Sequence, residues 1–421
     1  MSGPSPAELM ALLGAGIEVT DGPSDAGPGM PVVRPRSAEE VSTAMRTATS
    51  RGWAVTIRGG GTKSGWGPAA DRSDIILDTT ELKQMVEHEP GDLVCVAGAG
   101  MRLGELRALT AQTPGYRQRL MLDPPRSELS TLGGLVATRA SGPLRARYGT
   151  MRDLLLGARF VLADGTVAHT GGKVVKNVAG YDLDKLLVGS LGTLAVVVEV
   201  ALRLHPQADS RGSVLLEHTD PARGAAFLAH LRRAPAVPSV AEAVWPEGVV
   251  LVQFDSTGEG AQRQAELVAK LDPAARVLDL AEASYWEKLL EDRPWNQPGT
   301  VLGISIPLRA TQPLLELVDG LARRGQPVAL SLRGTVGSGE IRVDETSAAI
   351  QEMRQAVERL DGHLEIHRAE GERRLGSLPR DPVARELMGT VKRALDPTGT
   401  LAPGRLEWAC GAASAAGGSR G

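Results

Sequence analysis

The sequence predicts an α+β protein with two cores, and three observations lead to this prediction. The 421 residues are enough for two domains of ordinary size. A strand-like segment, Ala54–Ile57, runs directly into a glycine-rich loop. After about Arg211 short strand-like pieces alternate with helical patterns, which indicates a second α/β or α+β domain whose antiparallel sheet is covered by helices.

The glycine-rich loop has five glycines in the nine positions from Gly59 to Gly67. Glycine lacks a Cβ and tolerates positive φ, so successive N–H groups can converge on one anion such as a pyrophosphate. The loop is not a Walker loop, because Thr62 stands where a Gly-Lys-Ser ending needs glycine, and it does not open a dinucleotide helix. A glycine-rich surface turn is the alternative for this loop taken alone.

Two further clusters of small residues follow the loop. The second cluster comprises Asp123–Pro125, Ser130–Thr138 and Ser141–Gly142, and the third comprises Val175–Leu183 and Gly189–Val200. Small side chains at this density would let a flat ring system and its ribityl chain lie against the backbone. In this order and spacing, the three clusters resemble the flavin-binding domain of the vanillyl-alcohol-oxidase type, also called the p-cresol-methylhydroxylase type, over about residues 31–206.

Within that family the chain is most similar to the FAD-binding subunits of bacterial glycolate oxidases. The segments that carry this finer resemblance are Thr131–Ala137, Ser141–Pro143, Val175–Leu183, Asp396-Pro397 and Pro403–Arg405. The last segment usually reads Asn-Pro-Gly in these relatives, whereas Ala402 takes the place of the asparagine here. Any hydrogen bond that the asparagine side chain makes is therefore absent.

The resemblance implies that FAD is the cofactor. Many relatives attach the flavin covalently through a histidine of the first loop, but residues 58–67 contain neither histidine nor cysteine, so noncovalent FAD is expected. Arg58 is either an FAD ligand or an anchor of the loop, because a guanidinium satisfies carbonyls as readily as phosphates. The implied FAD contacts are Arg58, Gly59, Gly60, Gly61, Thr62, Lys63, Ser64, Pro125, Thr131, Gly133, Gly134, Ala137, Ser141, Gly142, Tyr148, Asp153, Gly189, Gly192, Val197 and Arg405.

Five segments are expected along the chain. They are an amino-terminal arm at 1–30, a two-subdomain FAD-binding domain at 31–206, a smaller α+β substrate or partner domain at 211–376, a helix and turn at 381–408 that return to the flavin domain, and a disordered tail at 411–421.

Local signals predict the individual elements. Ser37 and Glu40 form a capping box that begins a helix. Further predicted elements of the first half are a helix at Pro6–Leu13, a strand at Leu93–Ala97, a helix at Arg102–Leu109, a hairpin over Asp153–Thr170 that turns at Asp164-Gly165, and a buried strand at Leu194–Leu204. In the second half, strands are predicted at Ser213–Glu217, Val249–Asp255, Gly303–Pro307 and Val328–Leu332, and helices at Pro221–Arg232, Gly260–Leu271, Thr311–Arg323, Thr346–Asp361 and Asp381–Leu395.

Composition excludes several classes of function. A net charge of −3 with balanced acids and bases gives no reason to expect a nucleic-acid partner. Two cysteines, Cys95 and Cys410, are too few to ligate an iron–sulfur cluster. No apolar stretch approaches the ~20 residues of a membrane span, and the amino terminus has no basic segment. A cytoplasmic protein is expected, which reaches the inner face of a membrane only through partners.

One histidine-containing segment allows two interpretations. His363, Glu365 and His367 alternate, so a strand would place all three on one face, where they could bind a metal that polarises a 2-hydroxy acid. A solvated polar face is the favoured alternative, because relatives that oxidise D-2-hydroxy acids carry a longer histidine motif that is missing here. For the same reason, no metal is expected. Leu191 stands where those catalytic relatives tend to have glutamate, which points away from a catalytic subunit. His363 and His367 remain candidates for catalysis, together with Lys176, which is either a positive charge beside the reduced flavin or a surface lysine.

The resemblance implies an FAD-dependent oxidoreductase that acts on CH–OH donors. The expected protein is a subunit of a glycolate oxidase complex in glyoxylate metabolism, with a larger homologous flavin subunit and an iron–sulfur subunit as partners and a small 2-hydroxy acid as substrate. Hydride would leave the α-carbon for FAD, and electrons would continue through the iron–sulfur partner. The alternatives are a flavin subunit that mainly scaffolds the complex and a free-standing FAD-dependent oxidoreductase of another hydroxy acid or alcohol.

Overall fold

A computed structural model describes residues 3–14, 16–22, 30–173, 182–290, 295, 297–344, 346–368 and 382–406. Lys176, Cys410 and the tail at 411–421 lie outside the described residues. The described chain has the expected α+β architecture, with a mixed sheet, a five-stranded antiparallel sheet, a two-stranded ribbon and an eight-stranded antiparallel sheet. No helix in these ranges is both long and apolar enough to cross a membrane.

The first sheet supports the glycine-rich loop. Its strands are β1 (Glu18–Asp21), β2 (Pro31–Arg34), β3 (Val55–Arg58) and β4 (Ile75–Asp78), in the order β1-β2-β4-β3. β1 is antiparallel to β2, whereas β2, β4 and β3 are parallel. Helices α1 (Pro6–Leu13) and α2 (Ala38–Arg51) pack on this sheet through Leu9, Val41 and Met45. Because β3 ends at Arg58, the loop begins at the end of a strand, as predicted.

Helix α2 begins at the predicted N-cap. The Ser37 hydroxyl accepts a hydrogen bond from the Glu40 amide at 3.2 Å. The reciprocal half of the capping box differs from the prediction, because the Glu40 carboxylate accepts from the amide of Arg36, at 2.7 Å, and not from that of Ser37. The helix ends at Gly52, whose φ of +68° gives the left-handed C-cap that favours glycine.

The next seven strands form the antiparallel sheet and the ribbon. They are β5 (Met85–Glu89), β6 (Val94–Gly98), β7 (Gln118–Arg119), β8 (Leu155–Val161), β9 (Val167–Gly171), β10 (Val196–Arg203) and β11 (His205–Pro206). The sheet has the order β5-β6-β10-β8-β9, and β7 pairs with β11. The helices of this region are α3 (Leu103–Ala111), α4 (Leu132–Thr138), α5 (Arg145–Tyr148), α6 (Met151–Leu154) and α7 (Asp184–Leu187).

Two predictions in this sheet can be compared with the structure. The apolar run Leu194–Leu204 forms the central strand β10, which pairs with both β6 and β8 and is buried on both faces. The β8–β9 hairpin turns at Asp164-Gly165, where Gly165 has a φ of +84°. Its first strand begins two residues later than predicted, because Asp153 caps the short helix α6 by accepting from the Thr150 amide at 2.7 Å.

The eight-stranded sheet occupies the second half of the chain. Its strands are β12 (Ser210–Glu217), β13 (Val240–Trp245), β14 (Val249–Ser256), β15 (Ala275–Leu278), β16 (Thr300–Ser305), β17 (Ala329–Arg333), β18 (Ser338–Val343) and β19 (His363–Arg368). The order is β15-β12-β14-β13-β17-β18-β16-β19, with every pair antiparallel. Strands β13, β15 and β18 are absent from the sequence-based expectation.

The two faces of this sheet meet different surroundings. Helices α8 (Pro221–Leu231), α9 (Gly260–Ala269), α11 (Thr311–Arg323) and α12 (Ser347–Arg359) cover one face, and α11 has the predicted bounds. Trp245, Phe227 and Phe254 lie in the apolar core between the helices and the strands. Helix α10 (Leu280–Leu290) covers part of the other face. On this face Val240 of β13 contacts Met121 and Leu144 of the amino-terminal half. The two halves therefore pack directly against each other.

The carboxy-terminal segment packs on the amino-terminal half of the chain. Helix α13 (Pro382–Leu395) is followed by residues 396–406, where Leu401 forms a parallel bridge with Val55 of β3. Lys392 is 2% exposed, and its Nζ donates to Asp396 at 2.5 Å, to the Thr193 carbonyl at 2.7 Å and to the Leu401 carbonyl at 3.0 Å. One buried ammonium thus ties the helix, the bridge and the turn that precedes β10 together.

Replacing this ammonium should destabilise the protein strongly. Lys392→Met leaves the carboxylate of Asp396 buried without its cation, which costs about 3–5 kcal/mol when a buried pair is broken. Urea unfolding followed by circular dichroism measures the effect. Arg393→Met, at an exposed position one residue along the same helix, is the matched control and should change stability by less than about 0.5 kcal/mol. Equal stabilities of the two variants would contradict this account of the contact.

Candidate functional site

A groove follows the glycine-rich loop. It is lined by all seven residues from Arg58 to Ser64 and by segments of the second and third clusters. The implied FAD contacts that line it are Arg58, Gly59, Gly60, Gly61, Thr62, Lys63, Ser64, Thr131, Gly133, Gly134, Ala137, Gly192, Val197 and Arg405. The structure therefore brings together three sequence segments that are far apart in the chain.

Glycine is required in the loop for a reason that differs from the expected one. A Cβ on Gly59 would lie 2.1 Å from Thr131 Oγ1, and a Cβ on Gly60 would lie 2.2 Å from the carbonyl oxygen of Leu129. The amide of Gly60 donates to Thr131 Oγ1 at 3.4 Å. Both glycines thus permit the close approach of a second backbone segment, whereas Gly61, with a φ of +69°, supplies the left-handed conformation.

The groove presents hydrogen-bond donors and positive charge. In the described part of the chain, the amides of Gly61 and Thr62 donate to no protein acceptor. The Lys63 side chain is 8% exposed, and its Nζ donates to Ser130 Oγ at 2.6 Å and to the Pro125 carbonyl at 2.9 Å. Unused amides beside a fixed ammonium and several hydroxyls form a donor set that suits a pyrophosphate.

Two residues of the groove and its support have left-handed backbone conformations. Leu191 has a φ of +53°, and its amide donates to the Ala137 carbonyl at 2.8 Å. Ala402, which replaces the usual asparagine, has a φ of +42° and is buried, with its amide donating to the Val55 carbonyl at 2.9 Å. Asparagine tolerates this conformation better than alanine does, so the position carries backbone strain here. Arg405 donates to the Trp66 carbonyl at 3.0 Å.

Six of the implied FAD contacts lie elsewhere. Pro125 and Gly142 line a second cavity, and Asp153 caps helix α6. The remaining three have the following surroundings: the Ser141 carbonyl accepts from Arg333 at 3.4 Å, the Tyr148 ring packs edge-on against His205, and the amide of Gly189 donates to the Val136 carbonyl at 2.9 Å.

The second cavity lies between the amino-terminal half and the open face of the eight-stranded sheet, with a volume of about 540 Å³. The segment from Pro125 to Thr131 separates it from the groove, because Pro125, Ser127 and Glu128 line the cavity whereas Ser130 and Thr131 line the groove. Its other walls include the side chains of Arg107, Arg119, Asp123, Arg211, Glu242, Gln253, Glu287, Ser331, Arg333 and Glu340. Such a concave, polar space is suited to a small charged ligand.

Buried charges line the sheet side of this cavity. Arg333 is 3% exposed and binds Glu340 at 2.6 Å, while Glu242 accepts from the Ser331 hydroxyl. Burial alone would lower the pKa of Arg333, but Glu340 and Glu242 raise it. Burial raises the pKa of Glu242, and Arg333 opposes that shift. Cross-strand pairing explains the cluster, because Glu242 lies opposite Arg333 on β13 and β17, and Ser331 opposite Glu340 on β17 and β18.

Two charged groups line the other side. Arg119 is half-buried, and its Nε has no hydrogen-bond partner within the described ranges. The carboxylate of Asp123 accepts from the Leu144 amide, at 3.0 and 3.2 Å for its two oxygens. Burial raises the pKa of Asp123 to about 7, although the Leu144 hydrogen bond and the Arg333 charge act in the opposite direction. Burial also lowers the pKa of Arg119, and so does the neighbouring charge of Arg107.

The segment with His363, Glu365 and His367 does form a strand, β19 (His363–Arg368), but its polar face is not fully solvated. His367 is 8% exposed, stacks on Trp66 with ring centroids 4.0 Å apart, and contacts Glu365 through Nε2 at 3.0 Å. The favoured expectation of a solvated face was therefore wrong at His367, because the Trp66 end of the glycine-rich loop covers this strand, where the Gly67 amide also donates to the Ile366 carbonyl at 2.9 Å. His363 is exposed.

The same segment has a strongly acidic carboxyl group. Burial alone would raise the pKa of Glu365, but the hydrogen bond and charge of His367, with Arg139 and His363 nearby, lower it to about 2. Glu365 also lies 3.4 Å from Arg139. No group of three histidine, cysteine, aspartate or glutamate side chains in the described ranges has a geometry suited to a metal ion.

The sequence-based list of site residues omitted most of the second cavity. Arg119, Glu242, Arg333 and Glu340 carried no recognisable motif, and Asp123 was noted only as part of Asp123–Pro125. A signal did exist in the second domain, because Arg333 and Glu340 are charged residues within segments that contain alternating apolar positions. A charged residue on a strand that is otherwise buried indicates a partner or a ligand.

Residues 31–171 match a family model described as an FAD binding domain. This range contains the glycine-rich loop, the segment from Pro125 to Thr131 and most strands of the first two sheets. The fold and the groove thus define an α+β protein with an FAD-binding domain, and FAD is its cofactor.

Two relatives are named as enzymes of hydroxy acids, and one solved structure shares the fold. The chain is 40% identical to a D-lactate dehydrogenase of Archaeoglobus fulgidus over 177 residues, which are 42% of this chain and only 39% of that protein. It is 28% identical to the glycolate oxidase subunit GlcE of Escherichia coli over 337 residues, 78% of this chain and 86% of that subunit. A solved alkyldihydroxyacetonephosphate synthase has the same fold, with a TM-score of 0.68 at 18% identity over 96% of this chain and 80% of its own.

The groove fits the phosphate part of FAD on its own geometry. The unused amides of Gly61 and Thr62 would hold the pyrophosphate. Lys63 would add a nearby positive charge, because its three N–H groups already donate to Thr62, Pro125 and Ser130. The small residues Gly133, Gly134 and Ala137 leave room beside them for the rest of the cofactor. These residues would bind and orient the cofactor without a covalent bond.

Gly60→Ala should abolish FAD binding. The added Cβ would lie 2.2 Å from the Leu129 carbonyl, so the loop must move away from the segment that completes the groove. We expect the wild-type protein to release its FAD into the supernatant on acid precipitation and the variant to release none, as measured by flavin absorbance. Gly91→Ala, where a Cβ meets no atom within 4 Å, is the control and should retain FAD. Yellow colour retained in the wild-type pellet would contradict noncovalent binding.

Asp123→Asn should stabilise the protein progressively as the pH rises from about 4 to about 7. Because the folded-state pKa is raised to about 7, native Asp123 keeps a proton that the unfolded chain loses near pH 4, so stability falls as pH rises through this window. The amide removes this loss, which we expect to be about 4 kcal/mol at pH 8 and close to zero at pH 4. Urea unfolding at both values measures it, with the exposed Asp92→Asn as control. A difference that does not vary with pH would contradict the raised pKa.

Proposed function

We propose that the chain is an FAD-binding subunit of a glycolate oxidase or a closely related 2-hydroxy acid dehydrogenase complex. One observation carries the proposal: a polar cavity with arginines on both walls adjoins the FAD groove across a single segment, Pro125–Thr131. A 2-hydroxy acid is a small anion with a hydroxyl group, and buried arginines with neighbouring acceptors match both parts of such a molecule.

In this proposal, the residues of the cavity orient the substrate and place charged groups around it. FAD, when bound, accepts the hydride that leaves the α-carbon of the substrate. The chain's own residues orient the anion, keep water away and hold the hydroxyl proton, with Arg333 and Glu340 fixed by their ion pair at 2.6 Å. The cavity walls come from both halves of the chain, so substrate binding depends on their packing at Met121, Leu144 and Val240.

Partner subunits are part of the same proposal. The likeness to the GlcE subunit extends over most of both chains, and that protein is by name one subunit of an oxidase. The chain has two cysteines, of which Cys95 is buried with a pKa raised to about 12 by burial, so an iron–sulfur cluster must belong to another chain. A larger flavin subunit and an iron–sulfur subunit in the cytoplasm, attached to the membrane through the complex, would complete the electron path.

Purification from native cells under mild conditions tests this function. We expect the tagged chain to retain a second flavoprotein and a cysteine-rich iron–sulfur protein, and we expect the complex to reduce an artificial electron acceptor with glycolate. D-lactate and 2-hydroxyglutarate, assayed in parallel, identify the preferred hydroxy acid. A chain that elutes alone and passes electrons from a hydroxy acid or alcohol directly to oxygen would favour a free-standing oxidase. A complex that forms but oxidises its substrate normally when the groove variant Gly60→Ala is incorporated would favour a scaffolding subunit.

A further inference from the structure

The charged groups of the second cavity are mostly matched within the protein. Arg107 pairs with Glu128, Arg211 with Asp255 at 2.7 Å and with Glu287 at 3.1 Å, and Arg333 with Glu340 at 2.6 Å. Among the half-buried groups of the cavity, Arg119 and Asp123 have no ion pair in the described part of the chain. An unmatched cation and an unmatched acid therefore face one cavity from positions four residues apart.

Arg119 has the surroundings of an anion-binding residue. It lies on the two-stranded ribbon, where pairing of β7 with β11 fixes its backbone. Its Nε is removed from solvent without a partner, and the nearest cations, Arg107 and Arg211, are themselves paired with acids. A partly desolvated guanidinium whose Nε lacks a partner gains a charge-assisted hydrogen bond from a carboxylate, which relieves the cost of its burial.

Asp123 has the surroundings of a proton acceptor. The Leu144 amide holds its carboxylate, and the absence of a side chain at Gly142 lets the two segments approach, since a Cβ there would lie 1.9 Å from the Asp123 carbonyl. The charged groups that face it are Arg333 on β17, Glu242 on β13 and Arg119 on β7. With its pKa raised to about 7, the group changes charge at the pH at which an acid–base catalyst is most effective.

We propose that Arg119 binds the carboxylate of the 2-hydroxy acid and that Asp123 accepts the proton of its hydroxyl group. The assignment rests on the proposed function and names the groups that carry it out. In the oxidation the α-carbon loses a hydride, with its electron pair, to FAD, and the O–H bond breaks with its proton passing to the Asp123 carboxylate. The C–O bond becomes C=O, so the hydroxy acid is oxidised by two electrons to a 2-oxo acid while FAD is reduced by two.

Binding of an unreactive dicarboxylate tests the role of Arg119 without turnover. Oxalate resembles the carboxylate end of the substrate and has no hydrogen to transfer, so calorimetry with the FAD-loaded full chain measures the anion site alone. We expect Arg119→Met to weaken oxalate binding at least 30-fold and Arg119→Lys to weaken it less, since a cation remains. Arg203→Met, an exposed arginine of β10 away from the cavity, should leave the affinity unchanged. Equal affinities of the wild-type protein and both Arg119 variants would overturn the assignment.

The role of Asp123 is tested by a pH profile of the co-purified complex. We expect kcat/KM to rise with pH through an apparent pKa near 7 and Asp123→Asn to lower it at least 100-fold while abolishing that rise, with oxalate binding retained. Asp123→Glu, which restores a carboxylate, should recover part of the rate. A profile that keeps its rise in Asp123→Asn would refute the proton acceptor.

The outcomes separate this inference from the proposed function. Loss of oxalate binding in Arg119→Met, together with a complex that oxidises no hydroxy acid, would support the anion site and reject the reaction. An active complex whose oxalate affinity and pH profile survive both substitutions would support the reaction and reject Arg119 and Asp123 as its groups. FAD absorbance and circular dichroism verify that each variant is folded and loaded before either comparison.

Discussion

The close approach of two backbone segments determines where everything else in the site can lie. Gly59 and Gly60 pack so tightly against Leu129 and Thr131 that no side chain fits between them. One side of the segment Pro125–Thr131 then faces the FAD groove, and its other side faces the cavity at the eight-stranded sheet. Lys63 holds the same contact through its bonds to Ser130 and Pro125. The FAD groove and the second cavity are therefore held in a fixed relation by a single segment of main chain.

The buried charges around the cavity cost desolvation free energy that an apolar interface would not cost. Burying Arg333, Glu340 and Glu242 on one sheet face removes three charges from water, and a buried ion pair rarely stabilises a fold more than apolar residues of similar volume would. Their ion pair and hydrogen bonds reduce this cost, but they leave the region polar and rigid. The proposed function accounts for a polar cavity in place of a packed apolar junction, because orienting an anionic substrate requires charges that are fixed before it binds.

Local signals were sufficient for much of the fold, and pairing between distant segments explains most of what they missed. Helix α11 (Thr311–Arg323) and the loop after β3 have the predicted positions because capping, periodicity and glycine content act within a few residues. Strand β18 was missed because a glutamate such as Glu340 usually indicates a surface position. Here Glu340 is buried because Arg333 of the neighbouring strand pairs with it. The FAD groove was predictable from glycine clusters. The roles of Arg119 and Asp123 were not predictable, because they line a cavity that exists only when the eight-stranded sheet packs against them.

Because Val55 pairs with Leu401, the cofactor site can be completed only after nearly the whole chain has been synthesised. The strand that carries the glycine-rich loop emerges early from the ribosome. The residues that complete its edge are made much later: Thr49 and Thr400, which form a hydrogen bond beside this bridge, are 351 positions apart. At 5–20 residues per second, the nascent domain waits roughly 20 to 70 seconds for this last segment. During that interval its sheet edge is open to chaperones or to unwanted partners, and any polypeptide interrupted before Leu401 lacks the support that the finished loop receives.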